Sequence, residues 1–390
     1  MDIFWAKPED WKKTDTNKIT TPCYLVSEKI IERNLQILDL VQKQTGAKII
    51  LALKGFSMFS VFPLIRRYLH GTTASSLFEA KLGKEEFGKE VHIFSPAYKK
   101  EEFWEIMKIS DHIVFNSFSQ WKLYKNKIAS SEKKIGCSIR VNPEHSEVKT
   151  ALYDPCDKNS RLGVKFKDFE KQNLSGITGL HFHTLCESGA DSFARTLDVF
   201  EKKFGKYLDN MKFVNFGGGH HITRSDYNIK LLCKTINAFK KRHPHLEIYL
   251  EPGEAVALNT GILVASVLDI IENKTKIAIL DTSFATHMPD TLEMPYRPEI
   301  IGGNVPGKYP NNYKLGGISC LAGDMIGNYS FKKPLQIGDK LIFLDMAHYT
   351  MVKNNTFNGI NLPSILIQKK NGKIIVQKKF EYLDFKNRLS

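Results

Sequence analysis

The feature that most constrains this chain is an alternation. Short runs rich in Ile, Val, Leu and Phe recur at 48–53 (KIILAL), 91–95 (VHIFS), 112–116 (HIVFN), 135–141 (IGCSIRV), 177–183 (ITGLHFH), 213–217 (FVNFG) and 246–251 (LEIYLE), with a weaker run at 72–76 (TTASS). Between most of them, at 28–44, 99–108, 118–127, 190–209 and 225–241, apolar residues return at helical spacing. In the first such stretch Ile30, Ile31, Leu35, Leu38 and Val41 share one stripe. Strands that alternate with helices pair in parallel, because a parallel connection must cross over the sheet. Eight strands over about 200 residues fit an α/β fold closed as a (β/α)8 TIM-type barrel, with an open doubly wound sheet as the second possibility.

Past residue 260 the texture changes. Strand-like runs follow one another at 262–271, 276–281, 340–345 and 373–378, separated by Gly and Pro. This predicts a mostly antiparallel β-barrel or sandwich domain. The expected division is a barrel over 24–260 and a β domain made of 1–23 with 261–390, to which the first segment adds a strand.

Composition narrows the function. Fifty-six Lys and Arg against 42 Asp and Glu give a net charge of +14. The excess is mostly Lys and is spread along the chain, so a solvated surface is expected and a nucleic-acid role is not. The six cysteines, Cys23, Cys137, Cys156, Cys186, Cys233 and Cys320, lie far apart and form no CxxC pair. That favours reduced thiols and a cytoplasmic location over a disulfide framework. The start, MDIFWAKPEDWKK, has no apolar signal region, and no apolar run reaches the ~18–20 residues of a membrane span.

In such a barrel the chemistry gathers at the C-terminal ends of the strands. There the sequence places Lys54, Ser95, Asn116, Arg140 with Asn142, His183, Gly217-Gly218-Gly219 and Glu251-Pro252-Gly253. Lys54 follows an apolar strand, where desolvation lowers an amine's pKa and makes it a Schiff-base former; a Lys snorkelling from a strand end fits equally. Three glycines let a backbone approach a ligand and present N–H groups to an anion such as phosphate, or simply make a tight turn. Glu251 suits a protonated ring nitrogen or a salt bridge. His181 and His183 alternate onto one strand face; His183 could stack on a planar cofactor, His181 suits the core, and the two together could hold a metal. The neighbouring His220-His221 pair reads as a polar loop.

KIILALKG with Lys54, HFHT with His183, NFGGG with Gly217, Gly218 and Gly219, EPGE with Glu251, SCLAGD with Cys320 and Asp324, and AHYT with Tyr349 occur in this order. Together they resemble the fold-type III pyridoxal-phosphate decarboxylases, the alanine racemase-like group that includes ornithine and diaminopimelate decarboxylases. SCLAGD, HMPD (287–290) and EPGEA are most similar to the carboxynorspermidine and carboxyspermidine decarboxylases. The resemblance spans about residues 20–385 and implies pyridoxal 5'-phosphate as cofactor. It implies that Lys54 holds the cofactor covalently, His183 stacks on its ring, the three glycines bind its phosphate and Glu251 keeps its nitrogen protonated. Arg161 in SRLG matches a cofactor-proximal Arg, and Tyr349 a Tyr near the phosphate. Cys320 matches a Cys that the neighbouring subunit of a homodimer offers to the reacting carbon, which makes Lys54 and Cys320 the catalytic pair.

Two departures shape the expected substrate. EPGE stands where the ornithine and diaminopimelate enzymes carry EPGR, so Glu254 replaces a positive charge. Cys320 is followed by Leu321, and the acid comes later, at Asp324. Both favour a cationic carboxy-polyamine, with Glu251, Glu254, Asp290, Asp324 and also Glu293 as the acids expected around it. The alternatives are a diaminopimelate or other basic amino-acid decarboxylase or racemase of the same fold, a metal-dependent barrel hydrolase using His181, His183 and a carboxylated Lys54, and a non-catalytic pyridoxal-binding barrel. The leading reading assigns no metal ligand.

Overall fold

The computed structural model describes residues 5, 7–12, 14–16, 18–148 and 150–390. It divides into two compact units. Asn34–Val256 form one, and the described residues up to Arg33 join Ala257–Ser390 in the other.

The first unit is a closed barrel. Its strands are Lys48–Ala52, Gly71–Ala74, Glu90–Ser95, His112–Phe115, Gly136–Asn142, Gly179–His181, Phe213–Asn215 and Glu247–Leu250. Each pairs in parallel with the next, and the eighth pairs with the first. A two-residue strand, Val164–Lys165, adds to the fifth outside the ring. A parallel strand covered on both faces reads as a continuous apolar run; Ile49, Ile50 and Leu51 are fully buried in succession. The weak run TTASS is a strand because small residues are needed there: a Cβ on Gly71 would lie 2.2 Å from the Glu90 carbonyl oxygen.

The periodic stretches are helices that cover this ring. Ser117 caps Phe118–Ala129 by accepting the Gln120 N–H, and Asn228 caps Ile229–Arg242 by accepting the Leu231 N–H. The sixth and seventh strands are shorter than the sequence suggests, ending at His181 and Asn215. Past the seventh strand Gly217 adopts φ +68° and leaves the ladder, and His183 sits two residues past the sixth strand, in the loop.

The second unit is one nine-stranded sheet. Its order is Gly303–Asn304, Met325–Phe331, Asn311–Gly316, Thr275–Leu280, Gly261–Asn273, Cys23–Ser27, Ser364–Gln368 and Ile374–Lys378, with Lys340–Leu344 also on Gly261–Asn273. Its pairings are antiparallel except two: Cys23–Ser27 with Ser364–Gln368, and Thr275–Leu280 with Asn311–Gly316. The strand supplied by the N-terminal part is thus Cys23–Ser27. Tyr24, Leu263, Phe284, Tyr313, Tyr329 and Phe343 build the core of this unit.

The Tyr24 hydroxyl donates to the His287 carbonyl at 2.6 Å inside that core. Tyr24→Phe strands the buried carbonyl and should cost about 1–2 kcal/mol. A lower urea midpoint with an unchanged slope checks this; an unchanged midpoint contradicts it.

Candidate active site

The first and eighth strands end in close contact. The Ala52 N–H donates to the Pro252 carbonyl at 3.1 Å, and a Cβ on Gly55 would lie 3.0 Å from the Glu254 nitrogen. Glycine at 55 and 253 therefore lets the two chain ends meet, and this sets Lys54 beside the end of the eighth strand. Water reaches the Lys54 side chain, yet protein atoms ring it. Burial lowers its pKa, helped by the Arg140 charge and opposed by Glu251 and Glu79. The amine is thereby shifted toward the free base, the form that attacks carbonyls.

Lys54 Nζ lies 3.4 Å from His183 Nε2. The Gly218 N–H donates to His183 Nδ1 at 2.9 Å. That bond decides the tautomer: Nδ1 accepts, so the ring proton sits on Nε2 and faces the lysine. Burial first, then the charges of Lys54 and Arg140, push His183 well below its ordinary pKa. It is a neutral, flat ring beside the amine.

Glu251 follows the eighth strand and is buried. Burial alone would raise its pKa; the hydrogen bond and field of His181, with Asn215, outweigh this and hold it at about 2. His181 Nε2 lies 3.3 Å from Oε2, and Asn215 Nδ2 donates to Oε1 at 2.7 Å. Burial pushes His181 down, against the hydrogen bond and charge of Glu251, and its Nε2–H donates to the carboxylate, which keeps its charge. Arg140, at the end of the fifth strand, donates to the His183 carbonyl at 2.8 Å and lies over the Phe94 ring. Burial lowers Arg140 to about 10, against the pull of Glu251; Arg161 adds a small like-charge push. The Arg161 side chain is exposed, and its carbonyl accepts from Asn116.

The triple glycine is a cradle that tolerates no side chain. Gly217 and Gly219 have positive φ, and a Cβ on Gly218 or Gly219 would come within 2.1 Å of the Glu251 carbonyl oxygen or 1.8 Å of that of Leu185. Its N–H groups are not equivalent. Those of Gly217 and Gly218 are held by Asn215 Oδ1 and His183 Nδ1. Among the described residues the Gly219 N–H has no hydrogen-bond partner, while the resemblance implies that all three meet the phosphate.

The acids expected around the substrate have partners inside the protein. Glu254 lies 3.0 Å from His221 Nε2. His220 and His221 are buried rather than a polar loop, and His220 Nδ1 meets the Tyr227 hydroxyl at 2.6 Å. In the second unit Asp290 and Glu293 both pair with Lys353, which offsets one of their two charges. Asp324 is buried, and its oxygens accept the N–H groups of Phe284, Ala285 and Ser319 and the Ser319 hydroxyl. These bonds shape the Cys320 loop. Cys320 is exposed, its N–H held by Asn358, and Tyr349 is half-buried at the start of Tyr349–Val352. Of the metal-hydrolase trio, His181 is hydrogen-bonded to Glu251 at 3.3 Å and His183 lies 3.4 Å from Lys54 Nζ. Sequence reasoning gave no role to Asn215, although a polar residue in the apolar run FVNF was its signal, nor to Glu79 beside Lys54.

A family model described as pyridoxal-dependent decarboxylase, C-terminal sheet domain, matches residues 23–347. A Campylobacter jejuni protein named carboxynorspermidine/carboxyspermidine decarboxylase is 46% identical over 94% of this chain and 98% of its own. A Synechocystis protein named carboxyaminopropylagmatine decarboxylase is 45% identical over 96% of each chain. The crystal structure of carboxynorspermidine decarboxylase complexed with norspermidine from Campylobacter jejuni superposes with a TM-score of 0.88 at 44% identity, covering 95% of this chain and all of that one.

Burial, with a push from His221, lowers His220 from 6.5 to about 3. Unfolding below pH 6.5 must therefore take up a proton, so its stabilisation is complete above about 6.5 and is lost as pH falls toward 3. His220→Gln should flatten the stability curve between pH 6 and 4 by about 1.4 kcal/mol per pH unit. Denaturation across that range checks it; an unaltered slope contradicts it.

Proposed function

Because the chain belongs to the pyridoxal-dependent decarboxylases, we propose that it decarboxylates carboxynorspermidine or carboxyspermidine to norspermidine or spermidine, a step of polyamine biosynthesis. The observation that carries the site reading is a pairing: a lysine amine 3.4 Å from an imidazole and an ionised, doubly bonded carboxylate at one end of one barrel.

The residues fit pyridoxal 5'-phosphate. An amine, a neutral ring, a fixed carboxylate and a glycine cradle closed to any Cβ match its aldehyde, pyridine face, ring nitrogen and phosphate. When bound, this cofactor captures an amine and withdraws the electrons left behind as CO2 departs. Lys54 supplies the attaching amine, kept nucleophilic by its lowered pKa. His183 presents its ring and Nε2–H, and the charge on Glu251 favours a proton on the pyridine nitrogen. Asn215 and His181 orient that carboxylate. The Gly219 N–H, Arg161 and the Tyr349 hydroxyl are assigned to the phosphate. Glu254, set against His221, is the acid assigned to the cationic substrate. The Cys320 thiol delivers a proton to the carbon that lost CO2, reaching it from the second copy of a homodimer with shared sites. The six free cysteines suit a reducing compartment, and we assign the enzyme to the cytoplasm. Among the described residues no helix is long and apolar enough to cross a membrane.

The Synechocystis relative, as similar as the Campylobacter one, supports a second substrate, carboxyaminopropylagmatine. CO2 release from the two carboxy-triamines, that compound and diaminopimelate separates the readings. A carboxy-triamine should exceed diaminopimelate in kcat/KM by at least about 100-fold, some 2.7 kcal/mol. A preference for diaminopimelate overturns the polyamine assignment, and a preference for carboxyaminopropylagmatine selects the second substrate. Lys54→Ala should abolish both the visible cofactor absorbance and turnover; normal turnover refutes its role. Cys320→Ala should lower kcat with the absorbance retained, and unchanged kinetics refute the proton delivery.

A further inference from the structure

The opposite, N-terminal end of the barrel holds a second cluster of chemically able side chains. Glu90 opens the third strand, His92 follows two residues on and shares its face, and His112 opens the fourth strand directly opposite His92 in the ladder. The two imidazoles stack, with centroids 4.1 Å apart and planes 13° apart. One donor atom from each of Glu90, His92 and His112 lies within 4.8 Å of the others. We propose that this end of the barrel binds one divalent transition-metal cation of the zinc type through Glu90, His92 and His112.

The alternative is a polar plug that satisfies itself, and the local accounting counts against it. Lys48 Nζ bridges Glu90 Oε1 at 2.9 Å and Glu247 Oε1 at 2.6 Å. Two carboxylates against one ammonium leave one negative charge over, and the next cation, Lys133, is held by Asp111 at 3.0 Å. The Tyr249 hydroxyl lies 2.5 Å from Glu247 Oε2 and 3.0 Å from Glu90 Oε2. It has a single proton, and the shorter contact leaves Glu90 Oε2 available. That oxygen is the one facing His92 Nε2, at 3.3 Å, close to the ~3.4 Å between ligands of a tetrahedral zinc. Neither imidazole Nδ1 has a hydrogen-bond partner among the described residues, though both are shielded from water. Two buried ring nitrogens without partners cost stability in a plug; beside a surplus carboxylate the rings form a two-histidine, one-carboxylate donor set suited to zinc-type ions. Gly136 makes the room, since a Cβ there would lie 2.6 Å from His112 Nδ1. The site lies at the end of the barrel away from Lys54, where fixed side chains serve stability rather than turnover.

The test uses the holoenzyme, stripped with a chelator and titrated with Zn²⁺ and Co²⁺. Calorimetry and metal analysis should give one ion per chain, with a thermal midpoint that rises on adding Zn²⁺. Bound Co²⁺ should show visible bands without the near-ultraviolet thiolate absorption that a cysteine ligand produces. His112→Gln should weaken Zn²⁺ binding at least tenfold while decarboxylation continues. Glu90→Gln gives the same reading should His112→Gln fail to fold. No binding by the wild type below 100 µM, wild-type affinity in the folded variants, or a thiolate band would each overturn the proposal.

Discussion

A buried negative charge organises the catalytic end of the barrel. Glu251 is sealed from water, and an ionised carboxylate there is stable only with donors fixed on it. His181 and Asn215 provide them from the two preceding strands, so three strand ends share one constraint. Asn215 also takes the Gly217 N–H, which starts the glycine turn, and the turn in turn fixes His183 beside Lys54. The same carboxylate, acting over distance, opposes the fall in pKa at Lys54 and Arg140. Charge, turn geometry and lysine reactivity are thus parts of one arrangement.

The sequence carried the barrel because most of its strands are buried on both faces and read as apolar runs; TTASS, built of small residues, was the weak one. The second unit was harder to read. Asn311–Gly316 (NNYKLG) and Met325–Phe331 (MIGNYSF) alternate polar and apolar residues and contain Gly and Asn, a pattern shared with loops. Residues lying side by side in the fold escaped for a different reason. Asn215 and Glu251 are 36 positions apart, and the pairing of the seventh and eighth strands brings them to 2.7 Å.

The acids show where reading by residue type stops. Asp324, Asp290 and Glu293 carry the right charge for a polyamine, and the sequence offers no sign that Lys353 and a loop backbone claim them. Asp324 fills its lone pairs with donors from the segments on either side of it, which makes it a clamp for the Cys320 loop. Glu254 keeps a histidine neighbour, so its charge is coupled to an imidazole where the EPGR enzymes place a guanidinium.

The bond between the Gly218 N–H and His183 has a consequence of its own. One hydrogen atom ties the flat aromatic wall of the cavity to its anion-receiving corner. A guest that tugs on either feature is felt at the other, so occupancy of the corner and the tilt of the wall are set jointly. Aromatic replacements of His183 that preserve its bulk but offer no acceptor would still shelter the amine, yet they would set the corner adrift from the wall.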